Sequence, residues 1–178
     1  MKTKIIMIVS ISENEVIAGM GKGYLTTWPM RNDEESFKET VNGKLVVADE
    51  QVWRSLIHRK LLENCKSLAF SLGKRIHLPQ SVPVAKSVEE VISHAEKTSQ
   101  DIVVVGGMEV YQAFMPSVSK VCISRICGLV ERSTDSVYFD EELHNSIREN
   151  FDKIFDDVME RDEQNPYPIA YSIYKRIN

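Results

Sequence analysis

Asp33 opens an apparent helix in the run Trp28-Pro-Met-Arg-Asn-Asp33-Glu-Glu-Ser-Phe37-Lys-Glu-Thr40. Phe37 lies one turn further along the same face, so a carboxylate and an aromatic ring address the same space. That pairing suits a flat heteroaromatic ligand, whose polar edge the acid can bond while the ring covers its face. Taken alone, an acid in a first helical turn is more ordinarily a partner for the helix dipole. A second element is Val104-Val105-Gly106-Gly107. Paired glycines between a buried strand and a helix let another molecule approach the backbone, and the helix N-terminus offers amides to an anion such as a pyrophosphate. A tight turn is the alternative for this pair. The third candidate, Gly19-Met-Gly-Lys-Gly23, departs from GxGxxG and lacks the Walker lysine spacing, so it reads as a mobile loop. His58, His77, His94 and His144 show no metal-ligand spacing, so no metal is expected. Cys65, Cys122 and Cys127 form no CxxC pair and read as buried free thiols.

These side chains need elements to hold them. Ile5 to Ile11 reads as a buried strand, and Asn32 to Asn42 as a helix with Asn32 as N-cap and Glu35 completing a capping box. Leu45 to Ala48 is a strand, Gln51 to Leu62 a helix and Ser67 to Ser71 a strand. Ser87 and Glu90 form a second capping box, ahead of Val88, Val91, Ile92 and Ala95 at helical spacing. Asp101 to Val105 is continuously apolar, as a strand buried on both faces would be. A helix then runs from Gly106-Gly107 through Phe114 to a stop at Pro116. After Val121 to Ile126 the pattern changes to strands without intervening helices, around Val137–Phe139, Phe151–Val158 and Ile169–Tyr174. The charge-rich stretch from Glu141 to Glu163 reads as a solvated helix and edge strand, and Trp53 and Tyr138 read as core. This alternation predicts an α/β fold: a central, mostly parallel twisted sheet flanked by helices, with an antiparallel C-terminal edge. Ligands of such sheets sit at the carboxyl ends of the strands.

The chain has 178 residues, 43% of them hydrophobic and 27% charged, which fits one domain over residues 1–178 with a substantial core. No repeat, low-complexity tract or Gly/Ser linker divides it. The net charge of -4 disfavours nucleic acid as a bulk electrostatic partner. Ile5 to Ile11 is too short to span a bilayer and lacks the pattern of a signal peptide, so no membrane partner and a reducing cytoplasmic setting are expected.

Together these segments resemble the dihydrofolate reductase family. The resemblance runs nearly end to end. It takes in Ile5 to Ile17, the Trp28–Asp33–Phe37–Thr40 segment, and Val84-Ala-Lys-Ser-Val-Glu-Glu leading into a helix. It continues through Val105 to Tyr111, Ser124-Arg-Ile126, Thr134-Asp-Ser136 with Phe139, and Tyr171 to Arg176. It implies reduction of 7,8-dihydrofolate to 5,6,7,8-tetrahydrofolate by hydride transfer from NADPH, supporting one-carbon and thymidylate metabolism. Asp33 matches the carboxylate that holds the pterin and supports protonation of N5, with Trp28 the loop tryptophan before it and Ser124 the supporting hydroxyl. Ile8, Val9 and Ser10 match the pterin pocket, with Phe37 above, Thr40 alongside and Val105 closing it. Ser10, Ile17 and Ala18 match positions around the nicotinamide, and Ser71 an adenosine-side position. Gly106, Gly107, Met108, Glu109, Val110 and Tyr111 match the pyrophosphate and nicotinamide edge. The loop from Ala18 to Trp28 would be a mobile lid, with Thr27 where a proline normally precedes the tryptophan. A monomer or weak homodimer is expected.

Two positions depart from the family pattern. Asp49-Glu50-Gln51-Val52 stands where a Gly-Arg-x-Thr run is usual, so Glu50 replaces the arginine that binds the 2′-phosphate of NADPH. A carboxylate there repels a phosphate and can accept a bond from a free ribose 2′-OH, which makes NADH the second candidate cofactor. Lys74, Arg75 or Lys86 would be the rescuing cations. Cys65 stands where an arginine grips the glutamate tail of folate, an exchange that costs on the order of 2 kcal/mol of affinity unless Arg59 or Lys60 compensates. The usual proline-rich loop is missing as well. These losses motivate the alternative of a catalytically silent relative that binds a nucleotide, a pterin or a protein partner. A third option, a reductase acting on a pyrimidine-like intermediate, fits the Asp33–Phe37 pair less well. Asp33, Gly106-Gly107 and Ser124 together favour catalysis.

Overall fold

The computed structural model describes residues 3–18, 30–73, 76–132 and 134–177. The chain enters through β1 (Ile5–Ser12) and turns at Glu15 into the short β2 (Val16–Ala18). Then come α1 (Arg31–Val41), β3 (Leu45–Ala48), α2 (Glu50–His58), β4 (Lys66–Phe70) and β5 (Val84–Ala85). α3 (Val88–Lys97), β6 (Ile102–Gly106) and α4 (Met108–Phe114) follow, and Pro116 sits in the 3-10 turn that closes α4. β7 (Lys120–Ile126), β8 (Val137–Tyr138), α5 (Glu141–Asn150), β9 (Phe151–Met159) and β10 (Ile169–Arg176) complete the order.

Among the described residues, eight strands form the main sheet in the order β5-β4-β3-β6-β1-β7-β10-β9, and β2 pairs with β8 apart from it. The first six of that order run parallel, and β10 and β9 run antiparallel at the edge. This is the expected α/β architecture. The central strands are apolar throughout because both faces are covered. Their alternation divides the core in two. Ile5, Met7, Val9, Leu45, Val47, Ile102 and Val104 face α3, α4 and α5 through Val91, Ala95, Val110, Phe114, Leu143 and Ile147. Ile6, Ile8, Val46, Ala48, Val103, Val105 and Cys122 face α1 and α2 through Val41, Val52 and Leu56.

Several expectations hold in detail. Ser87 caps α3 by accepting from the Glu90 amide at 3.2 Å, while the Glu90 carboxylate accepts from the Lys86 amide at 2.7 Å. β6 is buried at all of its positions. β9 is exposed along most of its length, as a solvated edge strand should be.

Others are corrected. Asn32 is not the cap of α1: the helix starts after Met30, which supplies no side-chain bond, and Glu35 pairs with Arg31 at 2.6 Å instead. The Asn32 amide is satisfied from across the fold by the Asn165 side chain at 2.9 Å, which removes the need for a local cap. α2 stops at His58 rather than Leu62, because Lys60 takes a left-handed φ of 55° and returns Leu61 and Leu62 to the core. α5 is the helix expected at the start of the Glu141–Glu163 stretch, and it separates C-terminal strands that the pattern reads as uninterrupted; it buries Leu143 and Ile147, one turn apart, and Asp140 caps it. Tyr138 is exposed, with Arg132 over its ring, whereas Trp53 is half-buried and donates to Ser67 at 3.1 Å. Of the thiols, Cys122 is buried, Cys65 half-buried and Cys127 exposed. Among the described residues no cluster of His, Cys, Asp or Glu could hold a metal ion, and no helix is long and apolar enough to cross a membrane. Trp28, the Gly19–Gly23 motif, most of the Ala18–Trp28 lid, Lys74 and Arg75 lie outside the described residues.

Candidate active site

β1, β6 and β7 lie side by side and parallel, so their carboxyl ends converge on one edge. A cleft of about 760 Å³ opens there. Ser10 of β1 is in register with Ser124 of β7, which places two hydroxyl-bearing residues abreast. Ser10 shares its strand face with Ile6 and Ile8, the face that α1 covers. α1 delivers Asp33 from its first turn. The Ser10 hydroxyl lies 2.9 Å from one Asp33 carboxyl oxygen and 2.8 Å from the other, and the Ser124 side chain faces the same carboxyl closely enough to lower its pKa.

Asp33 is half-buried as a residue because it fronts the cleft. Burial is still the strongest influence on its carboxyl and pushes its pKa above the ordinary value. The Ser10 bond, the Ser124 side chain and the charge of Arg59 pull the other way, and Glu34 adds a smaller upward push. An ionised carboxylate has about four acceptor positions. The single Ser10 hydroxyl leaves at least two of them free, the number that a pair of parallel N–H donors needs.

Phe37 and Thr40 line the same cleft from later turns of α1. Ile8, Val9 and Ile17 line it from β1 and β2, and Val105, Gly106 and Gly107 from the end of β6. The structure thus gathers Asp33, Ser124, Ile8, Val9, Ser10, Phe37, Thr40 and Val105 around one space. Gly106 has a φ of 116°, and a Cβ there would meet the Tyr111 ring at 3.2 Å. That close approach and positive φ both require glycine. The Gly106–Gly107 peptide is cis. The Tyr111 hydroxyl sits 2.8 Å from the carbonyl oxygens of both Ile8 and Val105, so this side chain ties β1 to β6 beneath the cleft. Burial raises its pKa well beyond the usual phenol range.

Ser71, Met108, Glu109 and Val110 lie in a second cleft of about 1000 Å³, together with Asp49 and Glu50. The cofactor candidates therefore divide: Ser10, Ile17, Gly106, Gly107 and Tyr111 fall in the first cleft and these four in the second. Ala18 ends β2. The described lining of the second cleft is acidic, with Asp49, Glu50 and Glu109 and no cation. Asp49 caps α2 by accepting from the Val52 amide at 2.8 Å, and its own amide donates to the Gly106 carbonyl at 2.8 Å. Glu50 is fixed by the His77 amide at 3.1 Å and by Arg54 at 2.9 Å, contacts that hold its pKa below the usual carboxylate range.

Sequence reading missed part of the wall. Tyr171 and Cys122 line the cleft, with Ser36 and Thr40 of α1 lining it as well. Burial pushes the Tyr171 pKa up to about 12. The register of β10 on β7 brings Tyr171 and Cys122 together, and neither carries a local signal. Arg59 also lines the cleft and pairs with Glu34, whereas Cys65 does not line it.

The chain is similar to known proteins along nearly its whole length. A protein-family model described as dihydrofolate reductase matches residues 4–176. A dihydrofolate reductase of Staphylococcus haemolyticus is 25% identical over 176 residues, spanning 98% of this chain and 96% of that protein. One from Haemophilus influenzae is 24% identical over 170 residues, spanning 96% and 97%. Among solved structures, the dihydrofolate reductase from Enterococcus faecalis, complexed with NADP(H) and RAB-propyl, superposes with a TM-score of 0.79 at 22% identity. That match covers 99% of this chain and 98% of the other.

Proposed function

Because the chain belongs to the dihydrofolate reductase family, we propose that it reduces 7,8-dihydrofolate to 5,6,7,8-tetrahydrofolate with NADPH as the reductant. The observation that carries this reading is the buried Asp33 carboxyl with Phe37 one turn away in the same cleft. A flat pterin fits that pair: its amidine-like edge takes the two free acceptor positions of Asp33, and Phe37 covers a face. When bound, the cofactor supplies the hydride that C6 receives, while N5 takes a proton. Asp33 favours that proton by holding negative charge at the pterin edge in an apolar setting. Ser10 and Ser124 hold the carboxyl, and Val105 closes the pocket. Gly106, which lacks a Cβ where the Tyr111 ring packs, and Gly107 face the reductant from the end of β6, with Ser71 and Met108 to Val110 on its adenosine side. Trp28 completes the catalytic set.

The acidic second cleft supports a finer reading, in which Glu50 weakens the preference for NADPH and lets NADH compete. Turnover is followed as loss of reduced-cofactor absorbance with dihydrofolate, using NADPH and NADH in parallel. Glu50→Arg should raise kcat/KM for NADPH relative to NADH by tenfold or more; an unchanged ratio would remove Glu50 from cofactor choice. No turnover with either cofactor by the folded protein would overturn the assignment. The same reading has residues 1–178 acting as one domain in the cytoplasm, as a monomer or weak homodimer, which sedimentation velocity tests.

A further inference from the structure

We propose that Ser10 is a positioning residue for Asp33: its hydroxyl bridges both carboxyl oxygens and so sets the pH range over which that carboxyl holds its charge. This rests on the reading of Asp33 as the group that holds the substrate. Ser10 stands between Ile8 and Ser12 on one face of β1. Ser12 is turned to the Asn14 side chain at 2.8 Å, whereas the Ser10 hydroxyl is aimed at the Asp33 carboxyl, 2.9 Å from one oxygen and 2.8 Å from the other. A serine placed only to be satisfied could bond a backbone carbonyl, as Ser119 does to Ile5 at 3.0 Å.

A hydroxyl carries one proton, so Ser10 donates to one oxygen or is shared between them. It can also accept, from the O–H of the protonated acid. The two bonds are unequal, because a bond to an ionised acceptor is roughly twice as strong as a neutral one. Ser10 therefore favours the charged form and works against burial. Other groups face the same carboxyl. Ser124 reaches it from β7, the Arg59 guanidinium acts across the cleft, Glu34 lies beside it on α1 and the Tyr111 phenol lies beneath. Cys122 and Tyr171 close the far wall with raised pKa values. Among these groups Ser10 makes the hydrogen bonds to the carboxyl, and Ser124 adds a smaller influence in the same direction. Ser10 stands on β1, whose register with β7 fixes the spacing of the two hydroxyls.

The test reads the carboxyl without substrate. The Asp33 side chain is titrated by carbon-13 NMR in the full chain labelled at aspartate, its resonance identified by its loss in Asp33→Asn. Ser10→Ala should move the midpoint up by about one pH unit, and Ser10→Thr, which keeps the hydroxyl, should return it toward the native value. The acid-side pH at which turnover of dihydrofolate falls by half should move upward with it in Ser10→Ala, since Asp33 acts in its charged form. A midpoint unmoved in folded Ser10→Ala, or equally moved in both variants, would overturn the proposal. A native chain that turns over no dihydrofolate would overturn the functional reading instead, and the titration would still decide whether Ser10 controls Asp33.

Discussion

Asp33→Asn should stabilise the folded chain at neutral pH while slowing its chemistry. Burial raises the Asp33 pKa above 3.8, and the Ser10 bond, the Ser124 side chain and the Arg59 charge offset this only in part. The folded chain then binds this proton more tightly than the unfolded chain. Stability attributable to Asp33 is present below pH 3.8 and is lost as pH rises through the folded-state pKa. Above that window the loss is constant, at about 1.4 kcal/mol for each unit separating the two pKa values. The charged bonds are already inside that net difference. Asn is close to the protonated acid in shape, is neutral at every pH and keeps an oxygen to accept from Ser10. For a chain of this size each pKa unit corresponds to about 3–6 °C in Tm. The assay is denaturant unfolding and calorimetry of both proteins across the acid-to-neutral range. The curves should meet at the acid end and separate as pH rises, with the variant on top. Turnover at neutral pH should fall at least about 100-fold, the scale of a lost proton-transfer group. A variant less stable than the native chain at neutral pH, or a difference that ignores pH, would refute the account of how this carboxyl is held.

Three further perturbations address the frame around the site. Tyr111→Phe removes the hydroxyl 2.8 Å from the Ile8 and Val105 carbonyls and should cost about 1–3 kcal/mol in urea unfolding; a negligible loss would mean that the tie between β1 and β6 is idle. Gly106→Ala forces a φ of 116° on a residue with a Cβ 3.2 Å from the Tyr111 ring, so about 1–3 kcal/mol of stability and a higher cofactor KM are expected to go together. Native stability with a native KM would contradict the close approach assigned there. Asp49→Ala loses the 2.8 Å cap on α2 and should lower stability by about 1 kcal/mol, read as a shift in the urea midpoint; no shift would show that the cap is replaceable.

Features that depend on residues a few positions apart were legible in the chain. The Ser87–Glu90 box, the apolar run that becomes β6 and the placement of Asp33 and Phe37 on one helical face all follow from periods of two and 3.6. The order of strands and helices carried the parallel sheet and its antiparallel edge, and with them the edge where a ligand would sit. What the chain hid are contacts between distant segments. Asn165 satisfies the start of α1 from 133 residues away, which is why the helix begins before the local capping signal. Tyr171 enters the cleft because β10 pairs with β7 in one register, and Cys122 because β7 pairs with β1 in one register. A one-residue slip of β10 on β7 would turn Tyr171 away from the cleft. The Ser10–Ser124 pair is the same kind of fact: each serine is unremarkable on its strand, and the register of β1 on β7 places both against Asp33. Local periodicity reports which face of an element is buried. Which partners that face meets is set by the free energy of assembling the whole sheet, and here that assembly determines how the Asp33 carboxyl is held.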